Sequence, residues 1–365
     1  MALSKIDAAG LDIGQIGGRR NIIINGAMQV AQRGTTGTIT DDGQYVSVDR
    51  WKSRTFSGSG RFSVAQDSDV PNKTFEYSAK LTVTTTDTSG TNGYSFAHYI
   101  EDKNTKQLGF GESGASDATL SFWVKSSITG TYSASLRLHG TNGYPSYVTE
   151  YTINSANTWE YKTITISGYT GSTARTHYIL DFGLGGQTSK ETSVLNTWDE
   201  DSNFVFSSNQ VDWQSNSGAT FYITGVQLEV GSVATPFEHR SFGEEMELCK
   251  RYYQKSFDYS TVPAFDASEN QIGISMAYNA STATGGAIEL GVEMRTTPTV
   301  TYYSRNVTTG NYWGMYKNTT WIVTTTGNNG SRSKRIQFYV QPSGAGMTAQ
   351  NVYELSGNWT AEAEL

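Results

Sequence analysis

Chemistry, if this chain performs any, has few places to sit. The four histidines, His98, His139, His177 and His239, fall on separate strands or links. No pair takes the i, i+4 spacing that turns two imidazoles from one helix face onto a metal. A Gly-x-Ser-x-Gly elbow, a phosphate loop, a His-Glu-x-x-His pair and a dinucleotide fingerprint are all missing. The carboxylates Asp199, Glu200 and Asp201, with Asp212, are the obvious reservoir for acid–base work. Cleaving a glycosidic bond needs two such groups facing each other across a sugar ring. Nothing in the sequence pairs these with a carboxylate on a facing strand, so they read as a solvated acidic loop beside Trp198. Such a loop could also supply oxygens to a calcium ion, but it lacks the glycine and distal glutamate of a calcium hand. The sequence therefore predicts no catalytic residue, no metal ligand and no cofactor.

Aromatic rings carry the stronger signal. Tyr312, Trp313 and Tyr316 form the densest run, with Tyr302, Tyr303, Asn311 and Trp321 nearby. Rigid loops on a β-sandwich can present such rings to the apolar faces of sugars while amides and carboxylates take the hydroxyls. The alternation of Trp313 and Met315 against Tyr312 and Tyr316 places the two tyrosines on one face and the tryptophan on the other. Tyr312 and Tyr316 are the preferred sugar contacts and Trp313 the third candidate. The plainer alternative is that all three are ordinary sheet residues.

The elements that must position these groups are almost all strands. At 365 residues the chain suits two β-domains, each able to bury a core. Thirty-eight glycines with abundant Thr, Ser and Tyr point to sheets joined by tight turns. A net charge of -7 with no basic cluster argues against a nucleic-acid partner, because phosphate binding needs Lys and Arg concentrated on one face. Cys249 is the only cysteine, which excludes an intrachain disulfide. No apolar run nears the ~20 residues of a membrane span, and MALSKIDAAG has no apolar leader core, so neither membrane insertion nor a signal peptide is expected.

Residues 1–20 are small, polar and glycine-rich, and read either as a disordered tail or as an anchoring peptide with Leu11, Ile13 and Ile16 as apolar pegs. Residues 21–238 read as a jelly-roll-like sandwich. Asn21–Asn25 begins it, Trp51 fills its core, and the alternations Tyr77-Ala79-Leu81-Val83, Leu120-Phe122-Val124 and Ala134-Leu136-Leu138 each bury one face. Trp159 and Tyr161, Ile164 and Ile166, Ile179–Phe182, and Phe221 and Ile223 with Val226 and Leu228 continue the pattern. GTNGY occurs twice, at 90–94 and 140–144, and predicts the same tight hairpin turn used twice.

Residues 239–256 are a linker built on a helix over Gly243–Lys255. Phe242, Met246, Cys249 and Tyr253 make one apolar stripe at 4-3-4 spacing, with acids in the first turn and bases toward the last. So short a helix needs partners, either a flanking sheet or the same stripe on sister chains at a threefold axis. The second is favoured, which predicts a homotrimer. Residues 257–365 read as a second β-sandwich, with Ile272, Ile274, Met276 and Tyr278 alternating early and Trp359, Ala361, Ala363 and Leu365 sharing one face at the end.

Three stretches now suggest a family. NIIINGAMQVAQRGTT at 21–36, VDRW at 48–51 and ITGVQLEVGSVATPFEHRSFGEEMELCKRYYQ at 223–254 closely resemble fibre and tail-fibre-like proteins of tailed bacteriophages, and MRTTPTV at 294–300 and the WTAEAEL ending are similar to the distal part of the same group. The resemblance implies a homotrimeric virion fibre. Its first domain would be a jelly roll like carbohydrate-binding modules, and its distal sandwich would contact a polysaccharide or lipopolysaccharide receptor on the host surface. The N-terminal segment would dock on tail, baseplate or capsid proteins. No catalytic residues carry over, so an enzyme is not expected. A structural virion component, decoration or connector, is the alternative function, and a polysaccharide depolymerase a further one.

Overall fold

A computed structural model describes residues 19–365 apart from 141–142, 172–174, 187, 201–202, 266–270, 281, 305–311, 318–319, 328–330 and 342–346. Leu11, Ile13 and Ile16 lie outside the described residues. The chain divides into two units: residues up to 31, 35–245 and 365 form the first, and residues 32–34 and 246–364 the second.

The first unit is a sandwich of two antiparallel six-stranded sheets. Its strands are β1 (Thr36–Thr38), β2 (Trp51–Phe56), β3 (Arg61–Asp67), β4 (Ser78–Thr85), β5 (Gly93–Glu101), β6 (Ala118–Ser126), β7 (Gly130–Gly140), β8 (Ser146–Ile153), β9 (Glu160–Ile166), β10 (Arg175–Gly185), β11 (Glu191–Thr192), β12 (Trp198–Asp199), β13 (Phe206–Ser207) and β14 (Thr220–Val230). One sheet runs β1-β3-β4-β14-β6-β9 and the other β12-β8-β7-β10-β5-β2. Leu120, Phe122 and Val124 face Leu136, Leu138 and Phe182 across one core, as the period-2 pattern requires. Trp51 is buried there, its ring stacked 5.0 Å from Phe96.

Two local expectations change. Asn21–Asn25 is buried, yet it makes no strand. It is pinned instead by side chains: Asn25 Nδ2 donates to the carbonyls of Val30 and Asp49, and Trp51 Nε1 donates to the carbonyl of Asn25. The first GTNGY joins β4 and β5, which lie in different sheets, so it is a crossing loop organised by Asp87, whose carboxylate accepts from Asn92 and Tyr94. The second GTNGY lies between β7 and β8, which pair with each other, but residues 141–142 of its turn lie outside the described ones. Strand β5 shows no clean alternation in sequence because all nine of its residues are buried.

The helix α1 (Phe242–Lys250) is shorter than the expected Gly243–Lys255. Ser241 and Glu244 form a reciprocal capping box at its start: the Glu244 carboxylate accepts from the Ser241 backbone N–H at 2.9 Å, and the Ser241 hydroxyl accepts from the Glu244 N–H at 3.3 Å. It stops because Tyr253–Lys255 pairs as a strand, β15, with the chain's last strand, and ladder bonds outweigh the weak propensity of one more helical turn. The division between the units falls inside this helix, between Glu245 and Met246.

In the second unit β15 joins a three-stranded sheet with β18 (Thr299–Tyr303) and β23 (Asn358–Glu362). Six further strands, β16 (Gln271–Ala277), β17 (Ala283–Glu289), β19 (Tyr312–Lys317), β20 (Thr320–Gly327), β21 (Arg335–Gln341) and β22 (Val352–Ser356), close into a barrel, so this unit realises the all-β class with a closed sheet. Trp359, Ala361 and Ala363 are buried as expected, and Arg33 stacks 3.9 Å over Tyr253 while pairing with Glu362 and Glu364. The phase of β16 is the reverse of the expected one: Ser275 and Ala277 point inward, and Ile274, Met276 and Tyr278 stand outward. Leu365 belongs to the first unit, packed on Ala97, Tyr99 and Ile179.

His98 is a core residue of the first unit, its Nε2 2.9 Å from the carbonyl of Ile24. Burial first, then the positive charge of Arg50, holds its pKa well below the ordinary histidine value. The folded state thus keeps His98 neutral, while the unfolded chain takes up a proton near pH 6.5. The unfolded state binds more protons below that point, so stability must fall on acidification. Thermal unfolding between pH 7.5 and 5 should show the first unit losing up to about 1.4 kcal/mol per pH unit below 6.5, a slope that flattens in His98→Gln.

Candidate functional site

The residues singled out from the sequence do not converge on one site. The side chains of Tyr312 and Trp313 lie outside the described residues, although both backbones sit in β19, and Tyr316 on that strand is half-buried. The expected stripe is split. Cys249 and Tyr253 are already buried within the chain, and only Phe242, 49% exposed, and half-buried Met246 retain surface for a partner. Tyr253 is moreover on a strand rather than on the helix.

The acidic loop is also tied down. Trp198 packs against Phe110, Tyr147 and Tyr169, and the Tyr169 hydroxyl donates to Glu200 at 2.5 Å. Asp201 is outside the described residues. Asp212 belongs to a different cluster: burial raises its pKa, and burial together with the Asp212 charge raises that of Glu191. Among the described residues no group of three or more His, Cys, Asp or Glu side chains stands close enough to hold a metal. His139 and His177, far apart in sequence, are cross-strand partners with rings stacked at 4.3 Å, and the Thr176 hydroxyl lies 3.3 and 3.0 Å from their Nδ1 atoms.

Aromatic rings do gather, on the outer face of the β14-β6-β9 half of the first sheet. Phe122 and Val124 point inward, so Trp123 must point outward, and the same parity that buries Ile164 and Ile166 exposes Tyr161 and Thr163. Trp123 and Tyr161 are direct cross-strand neighbours, 5.2 Å apart. The next outward row is Trp159, Lys125 and Tyr222: the Lys125 ammonium sits 4.0 Å over the Tyr222 ring and forms an ion pair with Asp69, which also accepts from the Trp159 indole at 2.9 Å.

Beside Trp123 the floor changes to Phe75, Phe237 and His239, whose rings meet at 4.9 to 5.3 Å. Burial lowers the His239 pKa. Gly225 makes room for this cluster. It sits in a bulge at φ +61, and a Cβ there would lie 2.7 Å from the Phe75 ring. The 231–236 segment forms the far wall. It is held by Thr119 Oγ1 donating to the Gly231 carbonyl and by Glu229, which accepts from both the N–H and hydroxyl of Thr235.

Two adjoining clefts result. One, of about 410 Å³, is lined by Phe75, Trp123, Tyr161, Phe237 and His239 with Asn72, Thr74 and Ser121, and the other, of about 510 Å³, by Thr119, Thr163, Thr165 and the 232–236 segment. Tyr161 and Pro236 line both, so they form one groove. Sequence reasoning listed Trp159 and Tyr161 as strand residues and missed the groove. The signal it had was the parity of Trp123 against Phe122 and Val124.

No family model matches this chain, and no curated protein matches it. Among solved structures, it is similar to the enzymatically active domain of bacteriophage CBA120 tailspike protein 4 at 19% identity over 57% of this chain and 21% of that one, with a TM-score of 0.32. It is similar to a carbohydrate-binding module, CBM4, at 17% over 57% of this chain and 99% of that one, with a TM-score of 0.31. A third, TmCBM61 in complex with β-1,4-galactotriose, is 11% identical over 58% of this chain and 99% of that one, with a TM-score of 0.29. None of these scores reaches 0.5, and the fold described above stands on the chain's own strand pairing.

Gly225→Ala should strain the bulge and displace the Phe75 ring, costing about 1–3 kcal/mol. A fall in the unfolding midpoint of the first unit, with Phe75 ring resonances shifted in NMR spectra, is the expected outcome.

Proposed function

We propose that this chain is an attachment protein of a virion fibre, one third of a homotrimer, and that its first unit binds a glycan of the host surface in the Trp123–Tyr161 groove. The observation that carries the reading is the row of outward rings set beside hydroxyl-bearing strands. A pyranose ring has an apolar face that stacks on Trp or Tyr and a rim of hydroxyls that need donors and acceptors. Trp123 and Tyr161 offer the first. Thr163, Thr165 and Asn72, all exposed along the same groove, offer the second. Rigid strands hold both, so little ordering is lost on binding.

Trimeric assembly is supported by apolar surface that one copy leaves open. Phe242 at the start of α1 is half exposed, and in the second unit Ile274, Met276, Tyr278 and Val352 stand together on adjacent strands, each between 48 and 65% exposed. Three copies of a weak glycan site gain avidity without any tight single contact. Residues 1–20 would attach the fibre to tail, baseplate or capsid, with Leu11, Ile13 and Ile16 as the pegs, and the protein would reach its place in the virion from the host cytoplasm.

Two measurements bear on this. Adsorption of the labelled protein to host cells should be competed by purified surface polysaccharide or lipopolysaccharide. Tyr161→Ala and Trp123→Ala should each weaken it about tenfold, the equivalent of 1–2 kcal/mol per stacked ring. A protein that assembles but binds no glycan would instead be a connector. Sedimentation equilibrium at micromolar concentration should give three times the 39.9 kDa chain mass. Met246→Asp should shift it toward monomer, while a monomeric wild-type protein would end the fibre reading.

A further inference from the structure

We propose that the groove takes an internal stretch of a linear, uncharged polysaccharide rather than an acidic polymer or a single terminal sugar. This rests on the glycan reading and narrows it to a ligand class. The first ground is charge. Among the described residues that line the two clefts there is no carboxylate, ammonium or guanidinium. A uronate, sulfate or phosphate entering the groove would lose water with no cation among the lining side chains to receive it, a larger loss than uncharged hydroxyls suffer.

Of the cations around the groove, Lys73 stands exposed between the lining residues Asn72 and Thr74 and the Arg20 guanidinium donates to Thr235 Oγ1 and the Pro236 carbonyl of the wall, while the others are committed to carboxylates. Lys125, two residues along the strand from Trp123, is paired with Asp69, and Lys80 with Asp67 at 3.4 Å. Lys162, next to Tyr161 but on the opposite face of β9, is paired with Glu160 at 2.7 Å. Arg240 is held by Glu238 and Glu245. The imidazole in the lining, His239, has its pKa lowered by partial burial, which favours its neutral form.

The second ground is shape. Each cleft alone exceeds the ~300 Å³ lower bound of a small-ligand site, and Tyr161, 44% exposed, stands where they join. A ring at a junction suits a chain that continues past it on both sides. The acceptors along that path are side-chain oxygens with their own donors partly spent: Thr165 Oγ1 donates to the Ser232 carbonyl. Their remaining lone pairs suit the hydroxyl donors of a neutral sugar and would repel an anionic group.

The test is affinity electrophoresis of the full chain through gels containing neutral polymers (galactan, glucan, mannan) or anionic ones (polygalacturonate, alginate, phosphorylated lipopolysaccharide). It is followed by titration with oligomers of whichever polymer retards the protein. We expect retardation by a neutral polymer, affinity unchanged within twofold between 50 and 500 mM NaCl, and at least tenfold tighter binding of longer oligomers than of the monosaccharide. Tyr161→Ala, a substitution of an exposed side chain, should cost at least tenfold, and Trp123→Phe should restore most of what Trp123→Ala loses. Retention by anionic polymers alone, a tenfold loss of affinity in high salt, or saturation by the monosaccharide would overturn the ligand class while leaving glycan binding intact. Absence of binding to every polymer of both classes would remove the glycan reading itself, and this inference with it.

Discussion

The first unit depends on a buried polar knot at the point where the chain enters and leaves it. Glu238 accepts from the backbone N–H groups of Arg20 and Asn21, at 3.0 and 2.9 Å, and from Arg240 at 3.1 Å. Burial opposes its charge, but these donors outweigh burial and hold its pKa below the usual carboxylate value. Arg240 reaches on to the carbonyls of Asn21 and Ile23 and to Glu245, which in turn accepts from the Asn25 N–H at 2.5 Å. Asn21 Nδ2 then ties the segment to the Val226 carbonyl, and the approach is so close that a Cβ on Gly26 would meet the same oxygen at 2.2 Å. Removing any one member would strand a charge or a backbone group away from water, which is the expensive failure for such a network. The knot holds an irregular apolar segment, Ile22 to Ile24, against the core without a strand to carry it.

Three of the stretches that carry the resemblance to phage fibre proteins meet at this knot. Asn21, Asn25 and Gly26 come from the first, Asp49 and Trp51 from the second, and Val226, Glu238, Arg240 and Glu245 from the third. Those residues are scaffold. Of the groove's rings, Phe75, Trp123 and Tyr161 lie outside all three stretches, and only Phe237 and His239 fall within one. A likeness built on the knot therefore speaks to architecture, while the rings that would choose a ligand are free to differ.

Much of the architecture was legible because a sandwich strand advertises its buried face at period two. Leu120, Phe122 and Val124 did so, as did Ala134, Leu136 and Leu138. Legibility failed where context overrode local pattern. All nine residues of β5 are covered, so no face stood out. The helical stripe ran on to Tyr253, but pairing with Glu362 drew that residue into a strand. In β16 the apolar residues point outward and the small ones inward, a reversal that hydrophobicity alone reads the wrong way round. The groove was hidden for another reason. Phe75, Trp123, Tyr161 and Phe237 are far apart in the chain and become neighbours only through strand order.

One extra residue in β14 governs more than its own turn. Before Gly225 the odd positions Phe221 and Ile223 face the core, and after it the even positions Val226 and Leu228 do. The switch sends Gln227 and Glu229 to the outer face of the sheet, where, still buried, they grip Thr235 and the backbone N–H of Glu238. The extra residue thus reconciles an odd run of inward side chains with an even one. Ironing it into a plain pleat without shortening the strand would carry a glutamine and a glutamate into the hydrocarbon interior, whereas losing Gly225 would keep the faces and take away the space beside the Phe75 ring. Ring identities can drift one at a time, but this bulge ties the two halves of one strand to each other.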